Sequence, residues 1–397
     1  MIRHLIKLVW SRKRANALLV LEIFVSFIVL FAVTATFLVF LSRVQRPMGF
    51  SYDALYTAAI DHRDFDLGEA ADLQGRRDLT ARLLDELETL PGAEAVAAAS
   101  FSPFELAYST SELEHEGASV SADRSSLTDG GLETLGLEIV RGRWFEKADD
   151  ALDWTPVVIN QVAVDRLFKG QDPIGKTVNE DNDWRVVGVI RAYRKNGALS
   201  GINPSVILRV SLDRASEVAP PQRFLIRVSP GTGGEIEERV LDLMRALAPE
   251  WTFQIEPTDS IRRRNGRMAA TPLVLGAMVA GFLLVMVFLG MVGVFWQSVT
   301  QRIGEIGLRR AMGARRSSVH QQILGEILVV TVVGALAATV LIVQLPLLGV
   351  LSSLGWGTVG MALLVSFVLM ALLATTSGLY PAWLAARVEP AHALHDE

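Results

Sequence analysis

The chain has 397 residues, half of them hydrophobic, and a mean hydropathy of +0.33, which is too apolar for an ordinary water-soluble domain. A net charge of −5 argues against general affinity for nucleic acid. The lack of cysteine excludes disulfides and thiolate metal sites, and removes any redox clue to compartment.

The apolar residues are gathered into four runs, over residues 17–41, 272–298, 322–348 and 358–386. Each reaches the roughly 20 residues that a membrane-spanning helix needs. Arg3, Lys7, Arg12, Lys13 and Arg14 precede the first run with no acid among them. The positive-inside rule then places the N-terminus in the cytoplasm. The first run exceeds the roughly 7–15 apolar residues of a cleavable signal, so an uncleaved anchor is expected. Alternation gives an organisation in nine parts. Residues 1–16 are cytoplasmic, 17–42 span the membrane, and 43–271 form a large extracytoplasmic domain. Residues 272–298 cross back, 299–321 are cytoplasmic, 322–348 cross again, 349–357 turn outside, 358–386 return, and 387–397 end in the cytoplasm. The expected fold class is therefore a membrane α-helical protein with four transmembrane helices and a large mixed α/β domain between helices 1 and 2.

Within residues 43–271 two helix-then-strand units lie at opposite ends. Leu79, Leu83, Leu87 and Leu90 share one helical face, followed by a small-residue strand over 93–100. Ile236, Val240, Leu243, Met244 and Leu247 share another, followed by a strand over 251–255. The pairing suggests a pseudo-repeat with a split βαβ arrangement. Strands are predicted between them at 156–160, 184–190, 205–210 and 223–228, and loops at 64–75 and 112–126. Arg262, Arg263, Arg264 and Arg267 precede the second span on the external side, against the local positive-inside trend. A solvated helical stem accounts for them; contact with lipid headgroups or a partner is the functional alternative.

Few residues suggest chemistry in this chain. Residues 170–177, GQDPIGKT, match the GxxxxGK[ST] pattern letter for letter. A phosphate-binding loop needs a strand before it and a helix after it, so that helix N–H groups face the phosphate. Here a helix precedes and polar turn residues follow, with Pro173 inside the would-be cradle. His115 lies between Glu114 and Glu116, a neighbourhood better explained as an acidic surface than as a metal site, because adjacent residues rarely converge on one ion. No HExxH or GxSxG occurs, and Asp149-Asp150 reads as a turn. Ala277/Gly281 and Gly334/Ala338 have the small-xxx-small spacing that permits close helix approach, within the chain or between subunits. Glu22 and Glu326 are costly at membrane depth, where such acids mark function unless they snorkel to an interface.

The densest stretch is residues 301–325, QRIGEIGLRRAMGARRSSVHQQILG. Ile303, Ile306, Leu308 and Met312 approximate helical spacing, and Glu305 lies four residues before Arg309. From charge alone this is a positive-inside loop or a short amphipathic helix at the membrane surface. The residues Glu305-Ile306-Gly307, Arg309-Arg310-Ala311-Met312-Gly313-Ala314 and then Glu326 resemble the signature of FtsX/MacB-type ABC transporter permeases. Gly304 stands where that pattern has a basic residue. Gly142 to Phe145, residues 157–167, Asp172 to Lys176 and Val186 to Val189 resemble the family's external domain, and Tyr380-Pro381, Arg387 and Glu389-Pro390 its closing pattern.

The resemblance implies a non-catalytic subunit of the bacterial inner membrane. A dimeric ABC ATPase would dock on Glu305, Ile306, Leu308, Arg309, Arg310, Met312 and Gly313, with Glu326 as the family's membrane-embedded acid. It implies no cofactor in this chain, with ATP and Mg on the partner ATPase. It further implies a second permease subunit, identical or paralogous, contact with membrane lipids, and room for a periplasmic or outer-membrane partner. Its function would be mechanotransmission: ATP-driven movement of the external domain for export or extraction of a substrate. The alternative is a membrane-anchored signalling or cell-division regulator that moves an external protein without transport.

Overall fold

The computed structural model describes residues 13–61, 73–107, 109–197, 201–213, 220–231, 234–301, 304, 316–349 and 354–385. It divides into two compact units, residues Met1–Ser42 with Pro272–Glu397, and Arg43–Thr271.

The first unit is built from helices α1 (Lys13–Val44), α6 (Thr258–Thr300), α7 (Arg316–Leu347) and α8 (Trp356–Ala385), of which α1 and α6 also extend into the second unit. Each contains a stretch long and apolar enough to cross a membrane: Val20–Val44, Val274–Gln297, Leu324–Leu347 and Trp356–Leu379. Helices suit this solvent because every mid-helix N–H and C=O is satisfied internally. Their hydroxyls are absorbed the same way: Thr331 donates to the Ile327 carbonyl and Ser366 to that of Ala362, at 2.8 and 2.7 Å. Ile23, Phe27, Leu30 and Phe31 of α1 pack with Met291 and Phe295 of α6, Ala335 and Ala338 of α7, and Ala362 and Met370 of α8. The Phe27 and Phe367 rings meet edge to face, 4.8 Å apart. Outward positions such as Met278, Phe282 and Val340 remain exposed and apolar, as a lipid-facing surface requires.

The second unit is the α/β domain, and it has two halves. In the first half, β1 (Leu55–Ile60), α2 (Leu73–Glu88) and β2 (Ala93–Ala99) come from the start of the domain, and β10 (Arg223–Val228), α5 (Glu235–Leu247) and β11 (Phe253–Pro257) from its end. The strands lie in the order β11-β1-β10-β2, each pair antiparallel. This is the split βαβ arrangement that the two helix-then-strand units suggested. Leu83, Leu87, Val240 and Met244 pack down onto Ala58, Val96, Ala98, Phe224 and Ile226. Alternate residues of the same strands, Leu55, Ala99 and Leu225, enter a second core on the opposite face.

The second half is inserted between β2 and β10. It comprises β3 (Ser109–His115), β4 (Ala118–Leu127), α3 (Gly131–Leu135), β5 (Ile139–Gly142), β6 (Thr155–Asn160), α4 (Gln161–Leu167), β7 (Thr177–Asn179), β8 (Trp184–Ile190) and β9 (Ser205–Arg209). The order is β4-β9-β6-β8-β5, with β3 on β4 and β7 on β8. Ala99 opposite Leu127 is the one residue pair of the β2–β4 ladder, and Thr128, Ser100 and Ser126 reinforce it with bonds of 2.9–3.0 Å. Asn160 caps α4 by accepting from the Ala163 N–H, and the same oxygen accepts from Ser205 N–H, tying β6 to β9.

The loop expected over residues 112–126 is instead the β3–β4 hairpin, paired from Ser109–Arg124 to His115–Ala118. One face carries Leu113, Ala118, Val120 and Ala122, which join the core beneath α4, but the other face is Ser, Thr, Glu and Asp, and so short an alternation of small residues reads as a polar loop. Leu113 and Ala122 are fully buried within the paired stretch, Leu127 at the end of β4 is buried as well, and backbone pairing adds the ladder. Of the loop expected over 64–75, residues up to 72 lie outside the described residues, and α2 already begins at Leu73.

Candidate functional site

Glu305, Ile306, Leu308, Arg309, Arg310, Met312 and Gly313 lie outside the described residues. What brackets them is described: α6 runs to Thr300 and α7 begins at Arg316. Glu326 sits in the third turn of α7, half-buried, and accepts a hydrogen bond from Gln322 Nε2 at 3.1 Å. One turn of helix separates the two, the spacing at which side chains stack on one face.

The other intramembrane acid, Glu22, reaches α6 at Gly290, where an added Cβ would collide with its carboxylate oxygen. The Gly334/Ala338 pair is used inside the chain. A Cβ at Gly334 would lie 2.8 Å from Ile23 Cγ2 and 3.1 Å from the Val20 carbonyl oxygen, both on α1, and Ala338 is fully buried. Small residues there let α7 approach α1 closely. Gly281 meets nothing within 4 Å of such a Cβ and lies on the exposed side of α6.

The GxxxxGK[ST] match is the turn between α4 and β7. Its N–H groups are already committed: Gly175 to the Val186 carbonyl at 2.8 Å, Lys176 to that of Pro173 at 3.1 Å, and Ile174 to Asp172 Oδ1 at 3.3 Å. A phosphate cradle requires those donors to converge on the ligand. His115 sits on β3, its ring centroid 4.5 Å from that of Phe168 and its Nδ1 3.3 Å from the Thr177 carbonyl oxygen. Among the described residues no group of His, Asp and Glu is placed to hold a metal ion.

The arginines ahead of the second span form the first turns of α6 together with their counter-ions. Arg262 and Arg263 pair with Asp259, and Arg264 makes two hydrogen bonds to Glu256, at 2.7 and 2.9 Å. The Arg264 hydrogen bonds hold the Glu256 carboxyl below the usual carboxylate range. The positive charge that opposed the topology is thus partly neutralised locally, which softens the conflict with the positive-inside rule.

Asp149 and Asp150 lie on a 3-10 turn, Lys147–Ala151, and both are ion-paired. Arg209, with only 7% of its side chain exposed, bridges Asp150 to Asp129, and Arg143 grips Asp149. Burial alone would raise the Asp149 pKa, but the Arg143 guanidinium and the Glu146 N–H bring it below the ordinary value. Arg209 ties the turn to β9, and Arg143 ties it to the segment after β5.

The arrangement is that of a multi-pass membrane protein carrying a large α/β domain between its first and second spans. Residues 17–243 match the MacB-like periplasmic core domain, and residues 277–390 the FtsX-like permease C-terminal domain. The chain belongs to the FtsX/MacB-type family of ABC transporter permeases, whose permease domains are non-catalytic. It is 27% identical over 256 residues to the macrolide export ATP-binding/permease protein MacB of Neisseria meningitidis, covering 62% of this chain and 39% of that protein. It is 29% identical over 294 residues to the MacB of Bordetella avium, covering 72% and 45%. The chain therefore spans less than half the length of these curated relatives. The periplasmic region of MacB from Actinobacillus actinomycetemcomitans aligns over 56% of this chain and 97% of that one, at 16% identity and a TM-score of 0.40, too loose a likeness to add weight.

Proposed function

We propose that the chain is the permease subunit of an ABC transporter that converts ATP hydrolysis on a separate ATPase subunit into movement of its external domain. That movement drives export or extraction of a substrate. One observation carries the reading: α6 is a single helix of 43 residues, Thr258–Thr300, leading from β11 through the second apolar span to the edge of the arginine-rich segment. At 1.5 Å per residue it is about 65 Å long, enough to cross a bilayer with several turns to spare. A continuous helix links the external domain to the second span along one backbone path.

In this reading Glu305, Arg309 and Arg310 make the polar contacts with the ATPase dimer, and Ile306, Leu308 and Met312 the apolar ones. Gly313 allows close approach, and Glu326 holds the cytoplasmic end of α7 in register. A second permease subunit, identical or paralogous, completes the assembly. The N- and C-termini lie in the cytoplasm and residues 43–271 outside it. ATP and Mg bind on the partner ATPase.

The test uses the chain's freedom from cysteine. A Glu238→Cys variant, labelled with nitroxide and reconstituted with the ATPase, reports the spacing of two external domains. The expected result is a spacing that changes between ATP and ADP, with hydrolysis stimulated by the exported substrate. An unchanged spacing during hydrolysis would overturn the reading. A changing spacing with hydrolysis that answers only to an external protein would favour the regulator.

A further inference from the structure

The stretch between β8 and β9 gathers segments far apart in sequence. Arg194 is 3% exposed, and its Nη1 donates to the carbonyls of Arg43 and Arg46, each at 3.0 Å. Arg43 lies in the last turn of α1, where carbonyls have no intrahelical partner, so the guanidinium acts as a C-terminal cap. The Arg194 N–H donates to the Met48 carbonyl at 3.0 Å. Lys195, 5% exposed, donates from Nζ to the Ala107 carbonyl at 2.8 Å, with Nζ 4.0 Å from the centre of the Phe101 ring. Its own carbonyl accepts the Phe104 N–H at 2.7 Å. The Phe104 carbonyl then accepts from Asn265 Nδ2, in the second turn of α6, at 2.9 Å.

Apolar contacts fill the same volume. The Phe50 ring is centred 5.5 Å from those of Phe104 and Tyr193, and Tyr52 meets Phe104 edge to face at 5.2 Å. Ile261 of α6 belongs to this core, and the Arg262 guanidinium lies 5.0 Å from the Tyr52 ring centre. Thr258, the first residue of α6, is fully buried with its hydroxyl 3.0 Å from that of Thr57 on β1. Two backbone features make the fit specific. Phe104 has φ +64, a conformation that non-glycine residues rarely adopt. Gly49 has φ +80, and a Cβ there would collide with the Ala192 carbonyl. Burial lowers the pKa of both cations, that of Lys195 to about 8, so the fold places two basic groups where water would serve them better.

We infer that residues 192–197 form a clamp, in which Arg194 and Lys195 are positioning residues that hold the end of α1 and the start of α6 to one point of the α/β domain. Residues 45–54, which carry no regular secondary structure, would otherwise be a slack tether after α1. With the clamp closed, a displacement of either helix end reaches the domain directly. The inference rests on the reading of the chain as a transmitter of motion, yet its contacts lie wholly within residues 43–271 and its test needs no ATPase.

The test is a distance distribution between nitroxides at Val44→Cys and Met268→Cys, both exposed, in the full-length detergent-solubilised chain. A single narrow distribution is expected, and Arg194→Gln or Asn265→Ala should each widen it about twofold or more. Hydrogen exchange in the same variants should accelerate about tenfold or more at the Phe104 and Arg194 amides while β6 and β8 keep their protection. An unchanged width in both variants would overturn the inference, as would a loss of protection spread evenly over the domain in Asn265→Ala. Should Arg194→Gln fail to fold, Asn265→Ala decides alone, since it removes one partly exposed amide and no core atom. Failure to capture an ATPase would leave these distances untouched, so the clamp and the transporter reading fail separately.

Discussion

Gly188→Val is expected to prevent the α/β domain from folding. Gly188 lies in β8, between β6 and β5, where the β6 ladder slips register just before it and the β5 ladder just after it. A Cβ there would collide with the Arg143 carbonyl oxygen and lie 3.1 Å from its carbon, and backbone atoms cannot rotate away. Facing it, Gly142 has φ +70, and a Cβ at that position would collide with the Val187 carbonyl and lie 3.0 Å from Gly188 Cα. The neighbours offer no relief, because Val186, Val189 and Ile190 are fully buried. Overpacking against backbone that cannot move aside belongs to the rare class that costs beyond about 4 kcal/mol. That is a large share of a typical domain's ~5–15 kcal/mol. Limited proteolysis and tryptophan fluorescence of the full chain should show the domain unfolded. Gly234→Ala, which meets nothing within 4 Å, should behave as the parent to within about 0.5 kcal/mol.

Phe224→Ala should destabilise the same domain by about 3–5 kcal/mol, the range for emptying a buried phenylalanine site. Phe224 is fully buried on β10, the strand flanked by β1 and β2, and its face of the sheet lies beneath α2 and α5. Those helices meet the sheet through Leu83, Leu87, Val240 and Met244, so the cavity would be lined by side chains already committed to other contacts. Phe224→Leu keeps most of the volume and should cost less than half as much, roughly 1–2 kcal/mol. Chemical denaturation followed by fluorescence compares the two. Equal losses would place Phe224 at a site that collapses freely, contrary to the packing described.

What was legible in the sequence was what periodicity and length encode. The four spans stand out because lipid demands about 20 apolar residues in one run. Leu83 and Leu87, and Val240 and Met244, declare their helices through 3.6-residue spacing, and both helices bury those residues. Pairing one helix-then-strand unit with another 150 residues later led to the split βαβ half. The β3–β4 hairpin stayed hidden because its apolar face, Leu113, Ala118, Val120 and Ala122, is short and built mostly of small residues among Ser, Thr and Glu. The candidate site divides the same way. The motif around Glu305 and Arg309 is a local string and can be read locally. Arg194 and Lys195 are ordinary basic residues in a loop; their roles depend on carbonyls at Arg43, Arg46 and Ala107, which only the tertiary fold brings near.

The account stands on one contact above all, that of an ATPase with the arginine-rich segment. The direct measurement is affinity capture of the detergent-solubilised chain from its native membranes, with and without Glu305→Ala/Arg309→Ala/Arg310→Ala, and mass-spectrometric identification of what co-purifies. Truncating one partner of a desolvated charge pair costs about 2–5 kcal/mol at an interface, so losing three polar contacts should reduce capture at least ~100-fold. The account predicts an ABC-type ATPase with the unmutated chain and its loss with the variant. Recovery of no ATPase by either chain, or equal recovery by both, would contradict it.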